Sequence, residues 1–401
     1  MFIMKNIVIY WMRGVGKTTI GKLLSQKIGI KFYDLDKAIE DDIWGPIFEF
    51  VEKKGWDAFR EKEHENLEKL LNIDEDKVIS LGWWAIIFEN NQDILLKKSD
   101  KLIYIDCPLE TIYNRIKVDE EMGNKRNSLT EKGLLEELQE VYMERKNDYE
   151  SFYDFKVENI YTEDICIQQI IKKINYARVC VSISNFQIEK LKEQIDKINT
   201  TREIKIVELR IDYMENENIS KILPLLKNIK KQIIITNRSQ LEWGNFSGNF
   251  EEWIEKIWKF SKTMDYVDIE LIAWKEIYNL QNKLPNKKII LSYHNFQETP
   301  NLDFLINKID QMHLFKADIF KIAVMPKSKE DVEIIYQLQE FFQKNYSGKD
   351  FIFISMGELW AETRIKLAKK WATLTFGVLD KASAPGQIDY SKTYKLIYME
   401  E

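Results

Sequence analysis

The chain has 401 residues, 45% of them hydrophobic and 31% charged, with a net charge of −6. That length exceeds one ordinary core and suits two domains, and the acidic balance argues against nucleic acid as a partner. No apolar run approaches the roughly 18 residues that would span a bilayer, and the start lacks the charged, apolar and cleavage regions of a secretory signal, so a cytoplasmic protein is expected.

Residues 6–174 alternate short β-rich runs with longer helical patterns. Strands are predicted at Asn6–Tyr10, Lys31–Asp34, Lys77–Leu81, Lys101–Asp106 and Asp154–Glu158, and helices at Lys17–Ile28, Ile47–Leu71, Leu134–Asn147 and Glu163–Ile174. Such alternation implies a parallel sheet covered on both faces. A second series begins at Ala177, with eight strand candidates: Ala177–Ser184, Ile204–Asp212, Gln232–Asn237, Tyr266–Leu271, Lys288–Tyr293, Ile319–Val324, Phe351–Ser355 and Thr373–Val378. A helical pattern follows nearly every one. Eight β–α units in this length predict a (β/α)8 barrel. The expected domains are 1–174, an α/β P-loop domain with a parallel sheet, and 175–401, the barrel; no Gly/Ser/Pro linker separates them. Cys107, Cys166 and Cys180 show no metal-ligand spacing and are expected to be buried free thiols.

After the first strand comes Trp11-Met12-Arg13-Gly14-Val15-Gly16-Lys17-Thr18-Thr19, then a helix. GK[ST] between strand and helix marks a phosphate loop, whose amides and helix N-terminus cradle phosphates. Lys17 would reach the β/γ-phosphates, and Thr18 would ligate Mg²⁺. The loop alone does not name the acceptor.

The next segments are Asp34-Leu35-Asp36, Phe59-Arg60-Glu61-Lys62-Glu63 on a helix, and a strand ending Ser80-Leu81-Gly82. With the loop, they resemble shikimate kinase over about residues 1–172. The resemblance implies ATP and Mg²⁺ as requirements. It implies that Gly14, Val15, Gly16, Lys17, Thr18, Thr19, Arg115 and Arg126 bind ATP, with Arg115 against the adenine and Arg126 on a mobile lid. Thr18 and Asp34 would lie at the metal. Asp36, Arg60, Gly82 and Arg145 would bind shikimate, with Asp36 helping to activate its hydroxyl and the two arginines gripping its carboxylate.

In a barrel of this kind, catalysis sits at the C-terminal ends of the strands. Polar residues gather there: Glu208-Leu209-Arg210, Thr236-Asn237-Arg238 then Glu242, Asp268-Ile269-Glu270, Ser292-Tyr293-His294, Lys321, Ser355-Met356-Gly357 then Arg364, and Ser383-Ala384-Pro385-Gly386-Gln387. Lys321, flanked by Ile319, Phe320, Ile322 and Ala323, is expected in a partly apolar interior, a setting that favours Schiff-base chemistry. Together these motifs resemble type I 3-dehydroquinate dehydratase over about residues 177–390. The resemblance implies that Lys321 forms an imine with the C3 ketone, that His294 moves the proton as base and then acid, and that Glu242 orients His294. Arg364 would hold the substrate carboxylate, and Glu208, Arg210, Arg238, Ser383 and Gln387 the ring hydroxyls and closing loop. No metal or dissociable cofactor is required in this half, and a homodimer through the barrel is possible in the family.

Both halves depart from their families at tryptophans. Trp11, Trp83, Trp84, Trp243 and Trp360 stand where glycine is usual, and Trp44 and Trp371 extend the pattern. At Trp11, Trp83 and Trp84 a large ring is expected to fill space meant for phosphate or substrate. The chain holds 15 glycines and 11 tryptophans, low and high against ordinary usage. A UGA codon read as glycine by the source but written as tryptophan would give this pattern. The expectation is therefore a bifunctional enzyme of the shikimate pathway. The alternative is an active dehydratase carrying a degenerate, non-catalytic nucleotide-binding domain.

Overall fold

The structure, a computed structural model, describes every residue outside 1–5, 122–132, 161, 285, 358–360, 381, 383–384 and 400–401. Arg126, Trp360 and Ser383 lie outside the described residues. The chain divides into two compact units between Ile174 and Asn175.

In the first unit, β1 (Asn6–Tyr10), β2 (Lys31–Asp34), β3 (Lys77–Ser80), β4 (Lys101–Asp106) and β5 (Phe155–Glu158) form a parallel sheet in the order β2-β3-β1-β4-β5. β1 is buried at every residue, which is why it reads as an unbroken apolar run and not an alternation. The helices are α1 (Lys17–Ile28), α2 (Leu35–Ile43), α3 (Ile47–Asn72), α4 (Glu89–Lys98), α5 (Leu109–Glu121), α6 (Leu134–Glu150) and α7 (Glu163–Ile174). The strand order reverses at β1, so a crevice opens beyond its C-terminal end, where open α/β sheets bind ligands. The α1 N-terminus faces that crevice. Gly16 caps it at φ 93° without a side-chain hydrogen bond, and the first amides of a helix, which have no partner within the helix, suit an anion.

In the second unit, β6 (Arg178–Ile183), β7 (Ile204–Arg210), β8 (Gln232–Thr236), β9 (Tyr266–Glu270), β10 (Lys288–Asn295), β11 (Ile319–Val324), β12 (Asp350–Ser355) and β13 (Leu374–Val378) are all parallel, and a short β14 (Ile388–Asp389) lies beside β13. All eight strands expected of the barrel are present. The sheet curls until β12 meets the start of β13, where the Thr373 N–H donates to the Phe351 carbonyl at 2.8 Å. The helices are α8 (Ile188–Thr200), α9 (Ile219–Leu226), α10 (Phe250–Trp258), α11 (Trp274–Lys283), α12 (Leu302–Leu314), α13 (Lys329–Asn345), α14 (Ala361–Ala368) and α15 (Tyr390–Tyr398).

The barrel interior is layered. Cys180, Ile206, Ile234, Tyr266, Ile290 and Ile319 form an apolar floor, one residue from each of six neighbouring strands. Side chains two positions apart on a strand share a face. The next interior layer is therefore Ser182, Glu208, Thr236, Asp268, Ser292 and Lys321, and the one above it includes Arg210, Arg238, Glu270 and His294. Strand geometry alone lifts these polar groups onto an apolar base at the C-terminal end.

Candidate active sites

In the barrel these layers close into one hydrogen-bonded network. Lys321 is buried, in surroundings that are partly apolar and partly charged. Its Nζ donates to Asp268 Oδ2 at 2.6 Å, lies 3.8 Å from Glu208 Oε1 and sits 4.9 Å from the Phe376 ring centroid. Asp268 Oδ1 accepts from Arg238 Nη2 at 2.8 Å and Ser292 Oγ at 2.6 Å. The adjacent Arg238 and Lys321 cations outweigh burial and hold Asp268 well below the usual carboxylate range. Arg238 Nη1 reaches Ser292 Oγ at 2.9 Å and Glu242 Oε2 at 3.2 Å. Glu242 Oε2 faces His294 Nδ1 at 2.7 Å.

Burial, helped by the Arg238 and Lys321 charges, pushes His294 well below its ordinary 6.5. Burial, helped by Glu270 and Asp268, pushes Glu242 well above the usual carboxylate range. Nδ1 of the ring is thus engaged by Glu242, and Nε2 is the ring nitrogen turned away from that carboxyl. Glu208 accepts from Thr236 at 2.9 Å and Ser182 at 2.6 Å, and Arg210 clasps Asp212 in a bidentate pair at 2.8 and 2.9 Å.

These groups surround a cavity, which Arg364 and Gln387 also line. Arg364 donates to the Ser355 and Pro385 carbonyls at 3.1 and 2.6 Å. Burial without a carboxylate partner among the described residues lowers it to about 10. A buried guanidinium without an anion is suited to an anionic ligand.

In the first unit, Gly14, Gly16, Lys17, Thr18, Thr19, Asp34, Asp36, Trp83 and Arg115 line an open cleft. Lys17 Nζ donates to the Trp11 and Met12 carbonyls at 2.8 Å each, and Thr18 Oγ1 to Asp34 Oδ2 at 2.8 Å. Burial, then the Asp34 charge, raises Asp36 to about 6. Gly82 is required beside it, since a Cβ there would lie 2.4 Å from Asp36 Oδ1. Arg115 also lines the cleft. It donates to the Val15 and Asn159 carbonyls at 3.3 and 3.1 Å and so braces the loop.

Two family models match the chain: shikimate kinase over residues 13–175 and type I 3-dehydroquinase over residues 179–401. The chain belongs to the type I 3-dehydroquinase family. Its N-terminal half is a shikimate kinase domain. The dehydroquinase half is 38% identical over 192 residues to the 3-dehydroquinate dehydratase of Methanothermobacter thermautotrophicus, covering 48% of this chain and 83% of that one. It is similar to the solved type I 3-dehydroquinate dehydratase of Clostridium difficile, crystallised with covalently modified comenic acid, at TM-score 0.52 and 27% identity over 55% of this chain and 91% of that one. Over 96% of its length the chain is also 26% identical to the pentafunctional AROM polypeptide of Schizosaccharomyces pombe, of which it spans 26%.

Within the dehydroquinase half, the structure brings Lys321, His294, Glu242, Glu208, Arg210, Arg238, Arg364 and Gln387 to one cavity. Asp268, Glu270 and Ser292 stand at strand ends in the sequence, and their pattern alone assigns them no role. The signal that finds them is the two-residue step from Tyr266 and Ile290 on the floor.

In the kinase half one expectation fails. Trp11 does not fill the phosphate space. Its ring is fully buried, with centroids 4.4 Å from Tyr104 and 4.5 Å from Tyr149, because residue 11 directs its side chain into the aromatic layer beside the sheet. Trp83 does line the cleft, and Trp84 lies over Arg145 and Arg60, 3.4 and 4.9 Å from ring centroid to guanidinium.

Proposed function

We propose that the chain carries out two steps of the shikimate pathway through the residues just described: dehydration of 3-dehydroquinate in the barrel and phosphorylation of shikimate by ATP in the kinase domain. In the barrel, the Lys321 amine adds to the C3 ketone and water leaves as the imine forms. The imine draws electrons from C2, and neutral His294 takes the C2 proton on Nε2. The imidazolium then gives a proton to the C1 hydroxyl, which departs as water. Hydrolysis returns the Lys321 amine and releases 3-dehydroshikimate. Asp268 and Glu208 position Lys321, Glu242 orients His294, and Arg364 holds the substrate carboxylate. Glu208, Arg210, Arg238, Ser383 and Gln387 serve the ring hydroxyls.

The observation that carries this reading is Lys321 and the His294–Glu242 pair facing one cavity with a buried Arg364 that has no carboxylate partner among the described residues. Borohydride added during turnover with 3-dehydroquinate should fix one ligand mass on the peptide bearing Lys321. An unmodified Lys321 peptide, with turnover intact, rejects the imine.

In the kinase domain, Gly14, Val15, Gly16, Lys17, Thr18, Thr19, Arg115 and Arg126 take ATP, Asp36 accepts the proton of the attacking hydroxyl, and Arg60 and Arg145 take the carboxylate beside Gly82. The Thr18 hydroxyl and Asp34 carboxylate offer paired hard oxygens of the type Mg²⁺ accepts. Magnesium, when bound, neutralises charge on the transferring phosphoryl group. Loss of ATP-dependent shikimate phosphorylation in Lys17→Ala tests this half. Reduction of 3-dehydroshikimate lies between the two steps and needs another enzyme. We place the protein in the cytoplasm, as copies that can pair through the barrel; no described helix is long and apolar enough to cross a membrane.

A further inference from the structure

Left-handed backbone is nearly closed to side chains with a Cβ, and bulky residues there are outliers. Among the described non-glycine residues, Trp44 (φ 57°), Trp243 (φ 57°), Lys316 (φ 55°) and Trp371 (φ 79°) lie well inside this region. Three of these four are tryptophan, in a chain with 11 tryptophans among 401 residues.

Each stands at a turn of the kind glycine serves. Trp44 closes α2, its N–H donating to the Glu40 carbonyl, at the left-handed stop that glycine usually fills. Trp243 closes the 3-10 turn Gln240–Glu242, its N–H donating to the Gln240 carbonyl. Trp371 ends the turn that follows α14. Burial does not explain their presence: they are 94%, 46% and 38% exposed. Trp253 is the contrast. It is helical and 2% exposed, and its indole N–H donates to the Asn237 carbonyl.

A second observation is independent of backbone angle. Trp84 has an ordinary φ of −98°. Its ring covers Arg145 and Arg60, while Arg60 Nη2, Arg145 Nη1 and the Trp84 indole nitrogen are all buried without a hydrogen-bond partner among the described residues. An indole cannot accept from a guanidinium in its plane of donors; a carboxylate can. The ring stands where an anion belongs. Trp83, beside it, narrows the cleft and lies 4.7 Å over Arg145.

We infer that the protein made by its source carries glycine at positions 44, 83, 84, 243 and 371, the written tryptophans being UGA codons decoded as glycine. One reassigned codon accounts for the left-handed tryptophans, the covered arginines and the scarcity of glycine together. Trp253 is a true tryptophan. At Trp11 the backbone is extended, at φ 159°, and the ring is buried, so the geometry assigns nothing there.

Peptide mass spectrometry of the protein from its native source tests this directly. The tryptic fragment 239–256 holds both positions 243 and 253 and should carry glycine at 243 and tryptophan at 253. Fragments 38–53 and 371–381 should carry glycine at 44 and 371. Tryptophan at 243 in the native fragment, or UGG codons at these positions, overturns the inference.

A second arm rests on the kinase reading above. The full chain with Trp44→Gly, Trp83→Gly, Trp84→Gly, Trp243→Gly and Trp371→Gly should phosphorylate shikimate at least about 100-fold faster than the chain as written, since the substrate gains its seat, and should melt at a higher temperature. Native glycine with no phosphorylation by the substituted chain leaves the inference standing and removes the kinase reading. Native tryptophan with full phosphorylation by the written chain removes the inference and keeps that reading.

Discussion

His294 is held neutral by burial and by the Arg238 and Lys321 cations, well below its ordinary 6.5. A base of this kind stays unprotonated as pH falls through the usual histidine range. The acid limb of kcat/KM for dehydration is therefore expected well below pH 6.5; a limb centred on 6.5 would assign the proton transfer to another group or environment. Replacing the ring by His294→Ala should cost about 10²–10⁴ in kcat, the range of a lost general acid–base. Lys321→Ala should cost at least about a thousandfold and abolish borohydride trapping, because the nucleophile itself is gone. If either variant turns over at the parent rate, the assignment of roles within the cavity fails.

At the level of elements, the barrel strands do the positioning, because side chains two apart share the interior face. Ser292 on β10 is fully buried, and its hydroxyl bridges Asp268 Oδ1 and Arg238 Nη1 at 2.6 and 2.9 Å. Ser292→Ala leaves a buried carboxylate and guanidinium each short of a partner. The expected loss is about 1–3 kcal/mol of stability, measured by denaturant unfolding of the barrel. The same change loosens Asp268 and hence Lys321, so kcat should fall as well. Unchanged stability would mean that water replaces the hydroxyl without cost. In the kinase half, the reversal of strand order at β1 and the uncapped start of α1 open the cleft. Gly82 follows β3 and leaves room for Asp36, so that this carboxyl lies at the crevice and not under a side chain.

Across the whole chain, two units with separate sheets carry separate chemistries. Sites in separate compact units are expected to behave additively, within a factor of about two. Lys321→Ala should therefore abolish dehydration and leave shikimate phosphorylation within about twofold of the parent chain, and Lys17→Ala should do the reverse. A larger cross-effect, seen in assays of both activities on each variant, would demonstrate coupling between the halves. The chain matches 96% of its length to one stretch of a larger polypeptide in Schizosaccharomyces pombe, so this pairing of domains also occurs within that larger protein.

The sequence by itself determined the two α/β architectures, because each strand is a short apolar run and each helix carries its own three-and-four spacing. β1, β2, β4 and β11 end where the spacing places their ends, the other expected strands differ from it by a residue or two, and the two-residue β14 was not expected, since strand ends and so short a strand leave little mark on the apolar pattern. Short motifs also pointed to Lys17, Lys321, His294 and Glu242, whose chemistry is rare enough in context to be legible. Tertiary structure decided the rest. That Lys321 is held by Asp268 and Glu208, and not surrounded by apolar groups alone, follows from three strands meeting across the barrel. That Trp11 is buried among tyrosines while Trp84 lies over Arg145 depends on which face each residue turns to its neighbours. Sequence spacing fixes local direction; only packing brings charges from distant strands within hydrogen-bonding reach and shows which tryptophans stand where a glycine is required.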